Sequence, residues 1–121
     1  AAWPDPLDAT APLAARARSY LQGNCAHCHR PGGWTPPGMT MDLRYDRSLA
    51  QTRTCGVAPE YTIIPNVGRW RINPGEPDDS VLYNRMGETG PGRMPSLGTV
   101  WPDAEARAVV RAWIESLTGC E

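Results

Sequence analysis

The sequence predicts an all-α fold with long irregular connections, and three observations carry that reading. Two segments near the chain ends repeat their apolar residues at the helical period, Gly- and Pro-rich stretches fill the middle, and alternating strand patterning is nearly absent. The first helix is expected across Ala11 to Gly23, where Leu13, Ala17, Tyr20 and Leu21 share one face. Thr10 is placed to cap it and Pro12 sits near its first turn. A shorter helix is expected from Asp78 or Asp79 through Met86, with Val81, Leu82, Arg85 and Met86 on one side and Gly87 as the stop. The last helix opens at Pro102-Asp103-Ala104-Glu105. It carries a stripe of Ala106, Val109, Val110, Trp113, Ile114 and Leu117, and Gly119 is expected to end it. Between them, residues 31–38 (PGGWTPPG) and 91–95 (PGRMP) suit no regular element. Tyr61 to Ile64 is the best strand candidate, and Pro65 limits it.

At 121 residues the chain is the size of one ordinary domain. Its apolar fraction is 40% and it contains no Phe, so a core built from side chains alone would be modest and a large buried cofactor would help fill it. All 12 basic residues are Arg, the formal charge is −1, and no block of like charges occurs. This composition argues against a nucleic-acid partner and against a docking surface built from a ring of Lys, while scattered Arg could still steer an acidic partner. No window approaches the roughly 20 consecutive apolar residues that cross a bilayer, so no membrane span is expected. Residues 1–11, with two prolines and small side chains, suit a linker or a mature N-terminal extension ahead of a domain at 12–121.

The four cysteines divide into a tight pair and two distant singles. Cys25 and Cys28 lie in Cys25-Ala26-His27-Cys28-His29, the spacing that places two thiols on one turn with an imidazole directly after. That arrangement lets each thiol add to a haem vinyl group while His29 ligates the iron. A closed zinc site usually draws its other ligands from a second short cluster, and Cys55 and Cys120 lack ribbon or finger spacing. A thioredoxin-like pair would need alternating strands and helices around it. His27 reads as a solvated residue of the attachment loop. Covalent haem c implies export, so the expected location is periplasmic or secreted. In such a compartment the leftover Cys55 and Cys120 form a disulfide more often than two free buried thiols.

Helix, Cys-x-x-Cys-His, long loops, a late Met94-Pro95 and a terminal helix bearing an aromatic together resemble the class I cytochrome c family, over roughly Leu13 to Cys120. The resemblance implies a small monohaem cytochrome c fold of three to five helices, with loops wrapped around the haem and the first and last helices crossing near Trp113. It also implies Met94 as the sixth ligand. Met39 and Met41 are reserve candidates, and Met86 is expected to be core filler. In the family a Pro carbonyl often holds the ligating ring, and Pro31 or the Pro36-Pro37 pair could serve here. Arg69, Trp70 and Arg71 are expected to bind the haem propionates, with solvated Arg side chains as the alternative. Residues 39–46, 74–86 and 93–95 are similar to cytochrome domains appended to secreted bacterial dehydrogenases or polysaccharide-active multidomain proteins. The expected function is single-electron transfer between a secreted or periplasmic redox enzyme, or a copper oxygenase, and an acceptor, rather than catalysis. The alternative is a haem domain with an open or labile sixth position that binds a small ligand or reduces peroxide.

Overall fold

Helix formation follows the apolar periodicity at both ends of the chain. In the computed structural model, which describes residues 3–36, 39–60, 67–88, 92–95 and 103–120, three α-helices form: α1 (Leu13–Asn24), α2 (Val81–Met86) and α3 (Ala104–Ser116). Short 3-10 turns cover Ala50–Thr52 and Pro77–Asp79. Among the described residues there is no strand, only isolated parallel bridges pairing Cys55 with Ile72 and Trp70 with Ser80. The run Tyr61 to Ile64 lies outside the described residues.

α1 and α3 pack against each other and make the core. Ala17 is fully buried on α1, and its small side chain lets the backbones come close. Tyr20 and Leu21 flank it, meeting Val109, Val110, Trp113 and Ile114 from the expected stripe of α3. Each large apolar side chain removed from water here contributes about 1.5–3 kcal/mol. Helix ends depart from expectation in two places. Thr10 does not cap α1: the capping position falls to Pro12, because Thr10 instead bonds the Asp8 carboxylate through its N–H (2.9 Å) and its hydroxyl (2.6 Å). α3 is capped by Asp103, which accepts from the Ala106 N–H at 3.1 Å, but it stops at Ser116 rather than Gly119. Leu117 is already extended there, and the chain turns away toward Cys120.

That turn leads to a covalent tie, for Cys55 and Cys120 Sγ lie 2.06 Å apart, the expected disulfide, fastening the mid-chain loop to the end of α3. A second tie joins α2 to α3: Arg107 stacks 3.9 Å above the Tyr83 ring, and Arg111 pairs with Asp78 at 2.9 Å. Gly87 leaves room for this, since a Cβ there would lie 2.5 Å from the Arg107 guanidinium. The N-terminal segment lies against the body of the domain. Ser19 Oγ donates to the Pro4 carbonyl (2.6 Å), Arg16 Nε donates to the Pro6 carbonyl (2.9 Å), and the Trp3 and Tyr45 rings meet at 6.1 Å.

Candidate functional site

α1 does not end in a glycine cap but runs straight into the cysteine motif. The Cys25 and Ala26 N–H groups both donate to the Leu21 carbonyl, at 2.9 and 3.1 Å, and those of Cys28 and His29 both return to the Cys25 carbonyl, at 3.1 and 2.8 Å. The motif is therefore one tight turn. Ala26 is buried in the core and anchors it, whereas His27 is exposed, in keeping with a solvated residue of the turn, at the edge of the cleft described next. A further bond from the Leu43 N–H to the His29 carbonyl (2.8 Å) secures the turn from the other side.

The turn opens onto a cleft of about 1340 Å³, counted out to the solvent at its mouth. Cys25, Cys28 and His29 line it together with all four methionines, Met39, Met41, Met86 and Met94. Leu21 and Leu43 form part of its apolar wall, and Val81, Leu82, Arg85 and Met86, the predicted face of α2, supply another part. Trp34, 88% exposed, stands at the cleft on the loop after the motif. The walls are mostly apolar, which suits a large planar apolar ligand better than water.

Within this cleft His29 is a neutral imidazole at ordinary pH. Burial first, and then the nearby cations Arg85 and Arg71, push its pKa down to about 4. Its Nδ1 is buried with no hydrogen-bond partner. The expectation that a Pro carbonyl holds the ring is not met by Pro31 or by Pro36, whose carbonyl accepts from the Met39 N–H at 3.1 Å within its own turn. Pro37 lies outside the described residues. Burial also pushes the Cys25 thiol up to about 12, so it is held as a thiol rather than a thiolate. That state is the opposite of an activated disulfide-exchange cysteine. Among the described residues no group of three or more His, Cys, Asp or Glu gathers to hold a metal ion, so the two cysteine pairs do not assemble a zinc site.

The cationic triplet is split by the fold. Arg71 is 3% exposed and lines the cleft, with Nη1 donating to the Arg53 carbonyl (2.8 Å) and to Thr40 Oγ1 (3.2 Å), and Nη2 near Met39 Sδ (3.7 Å). Its Nε is buried without a partner, and burial lowers its pKa. Arg69 instead points to the surface and pairs with Asp79 at 2.8 Å, and Trp70 is half-buried; neither lines the cleft. Alternation along an extended strand would put Arg69 and Arg71 on one side; the chain bends at both residues instead, and the bonds to Asp79 and to the Arg53 carbonyl hold the two side chains apart. Arg85, which sequence reasoning placed on a helix face without a role, is the second cation of the cleft. Its pKa too is lowered by burial. The signal was present in the sequence: a charged residue four positions after Val81, on an otherwise apolar stripe.

Met94 reaches the cleft from a loop after α2, its N–H donating to the Arg85 carbonyl at 2.9 Å. Two thiols, the neutral His29 imidazole, four thioethers and two desolvated guanidiniums thus line one mostly apolar space, with the Glu60 carboxylate also on its wall. Such a set can bind covalently, donate soft and borderline ligands to a metal, and neutralise anionic substituents. No family model matches the chain, and neither does any curated protein or solved structure.

Proposed function

We propose that this domain holds one covalently attached haem c and relays single electrons between a secreted or periplasmic redox enzyme and an acceptor. The observation that carries the reading is the shared cleft, in which the Cys25–His29 turn and Met94 line the same apolar walls. Haem bound there would supply a one-electron iron couple. Cys25 and Cys28 would form its thioether links, and His29, already neutral and therefore free to donate a lone pair, would be the protein ligand adjoining them.

Met94 is the best sixth ligand of the four methionines. Met86 is buried in the helical core, Met41 packs against that core, and Met39 Sδ is engaged by Arg71. Arg71 and Arg85 fit a ligand bearing anionic substituents: both are desolvated and neither forms an ion pair among the described residues, Glu60 acting on Arg71 only as a charge nearby on the cleft wall. A saturated iron favours electron transfer over ligand binding or peroxide chemistry. The docked enzyme would be a dehydrogenase or a copper oxygenase, in keeping with the resemblance to cytochrome modules of secreted proteins.

The test is expression in a bacterial periplasm with haem c maturation machinery, followed by denaturing mass spectrometry and an optical spectrum. One haem mass retained after denaturation, and a Met–iron charge-transfer band lost in Met94→Ala but kept in Met39→Ala and Met86→Ala, is the expected result. A chain that takes up no covalent haem overturns the proposal. A high-spin wild-type protein overturns the electron-relay part of it and favours the open-site alternative.

A further inference from the structure

Among the described residues, Arg85 ties the loop that carries Met94 to α2. Arg85 holds it twice: its main-chain carbonyl accepts from the Met94 N–H at 2.9 Å, and its side-chain Nε donates to the Gly92 carbonyl at 2.7 Å. These two bonds grip the loop on both sides of Arg93, which is itself buried. Gly92 takes a φ of +92°, a backbone conformation that glycine supplies cheaply, and it turns its carbonyl to the guanidinium. Arg85 in turn sits in the last turn of α2, between Met86 in the core and the Tyr83–Arg107 stack that ties the helix to α3. The clamp therefore connects the loop to a helix that is packed into the core and tied to α3.

We infer that Arg85 is a positioning residue which holds Met94 at the sixth position and so sets how readily an outside ligand replaces it. The inference rests on Met94 being the sixth ligand. Arg85 touches neither reacting atom; it acts by restricting the loop. Losing the guanidinium removes the tie to the Gly92 carbonyl and leaves the Met94 main-chain bond, and the loop can then swing its thioether out of the cleft. Met94 would leave, and an imidazole or similar nitrogen base would take its coordination position without any change in oxidation state. An electron relay would thereby become a ligand-binding haem site through one side chain remote from both axial ligands in function.

The experiment compares haem-loaded wild type with Arg85→Met, which keeps the length and packing of the side chain but not the donor. Imidazole is titrated against the Met–iron band, and amide hydrogen exchange is followed at Met94 and at Val110 and Ile114 in the core. Imidazole binding at least tenfold tighter, with exchange at Met94 at least tenfold faster and the core amides unchanged, is expected. Unchanged imidazole affinity and unchanged Met94 exchange overturn the inference. Should Arg85→Met not accumulate, Arg85→Leu, which also lacks the donor, carries the same test: faster Met94 exchange over a protected core supports the clamp, and wild-type exchange overturns it. A wild type with no Met–iron band is a failure of the ligand assignment instead, and the exchange arm still reads the clamp by itself.

Discussion

Gly33 packs directly against the main-chain carbonyl of Cys28. A Cβ at position 33 would be driven into that oxygen and would lie 2.8 Å from its carbon, while the Gly33 N–H donates to the Arg30 carbonyl at 2.9 Å. The loop after the cysteine motif is therefore closed onto the motif itself, with no space for a side chain. Gly33→Ala should push Cys28 away from its place in the cleft. The expected outcome is a several-fold drop in the fraction of chains carrying covalent haem, read by intact mass. Gly23→Ala, where a Cβ meets nothing within 4 Å, should leave the fraction unchanged.

The disulfide closes a long loop, with 65 positions separating Cys55 from Cys120. Restricting an unfolded chain over that span contributes about 2–4 kcal/mol. Replacing both cysteines by Ser should lower the denaturant midpoint accordingly in chemical unfolding. The haem spectrum should survive, since neither sulfur lines the cleft.

Trp113 is 3% exposed at the α1–α3 contact and is the largest side chain there. Trp113→Ala should cost about 3–5 kcal/mol through lost burial and the cavity left behind. Trp34→Ala, on a ring that is 88% exposed, should cost less than about 0.5 kcal/mol. Thermal melts of the two variants measure the contrast.

Asp79 organises the segment behind Arg71. Its carboxylate accepts from the Arg69 N–H (3.0 Å), Arg69 Nε (2.8 Å) and Asn73 Nδ2 (2.8 Å), and these bonds hold its pKa below the usual value. Because the folded-state pKa is depressed, the stabilisation is complete above the ordinary carboxylate pKa and is lost as pH falls through the folded value. Asp79→Asn should therefore be less stable than wild type at neutral pH, and the difference should shrink steadily below about pH 4. Urea midpoints at a series of pH values give the comparison; a difference that stays constant into acid would show that the charge is not responsible.

Much of the fold was legible because it rests on short-range periodicity. The stripes of α1 and α3 and the face of α2 appear in the sequence at helical spacing, and each is buried or lines the cleft as that spacing implies. The cysteine motif was legible as a local turn, since its residues are adjacent in the chain, and Cys25, Cys28 and His29 all line the cleft. Arg69, Trp70 and Arg71 show where legibility ended: three neighbours read as one donor group, yet the chain bends at Arg69 and Arg71 and only Arg71 is turned inward. Arg85 was visible as a position but not as a clamp, because its partner Gly92 sits in a loop whose path no local pattern specifies. Thr10 failed for a local reason, a nearby Asp8 that competes for its hydroxyl.

The disulfide also divides the molecule by load. A pull applied at residue 3 and at residue 120 travels along the chain only as far as Cys55 and then crosses to Cys120, so α2, Met94 and α3 lie in a closed ring that bears no tension. α1 and the cysteine turn lie outside that ring and would be the first helical structure to unravel. His29 belongs to the stretched strand and Met94 to the sheltered ring. A metal bonded to both would add a bridge to those that already resist the separation, the packing of α1 on α3 and the bonds from Arg71 and Ile72 to Thr40, Arg53 and Thr54, so the force at which the strand peels away would rise when the sixth bond is made.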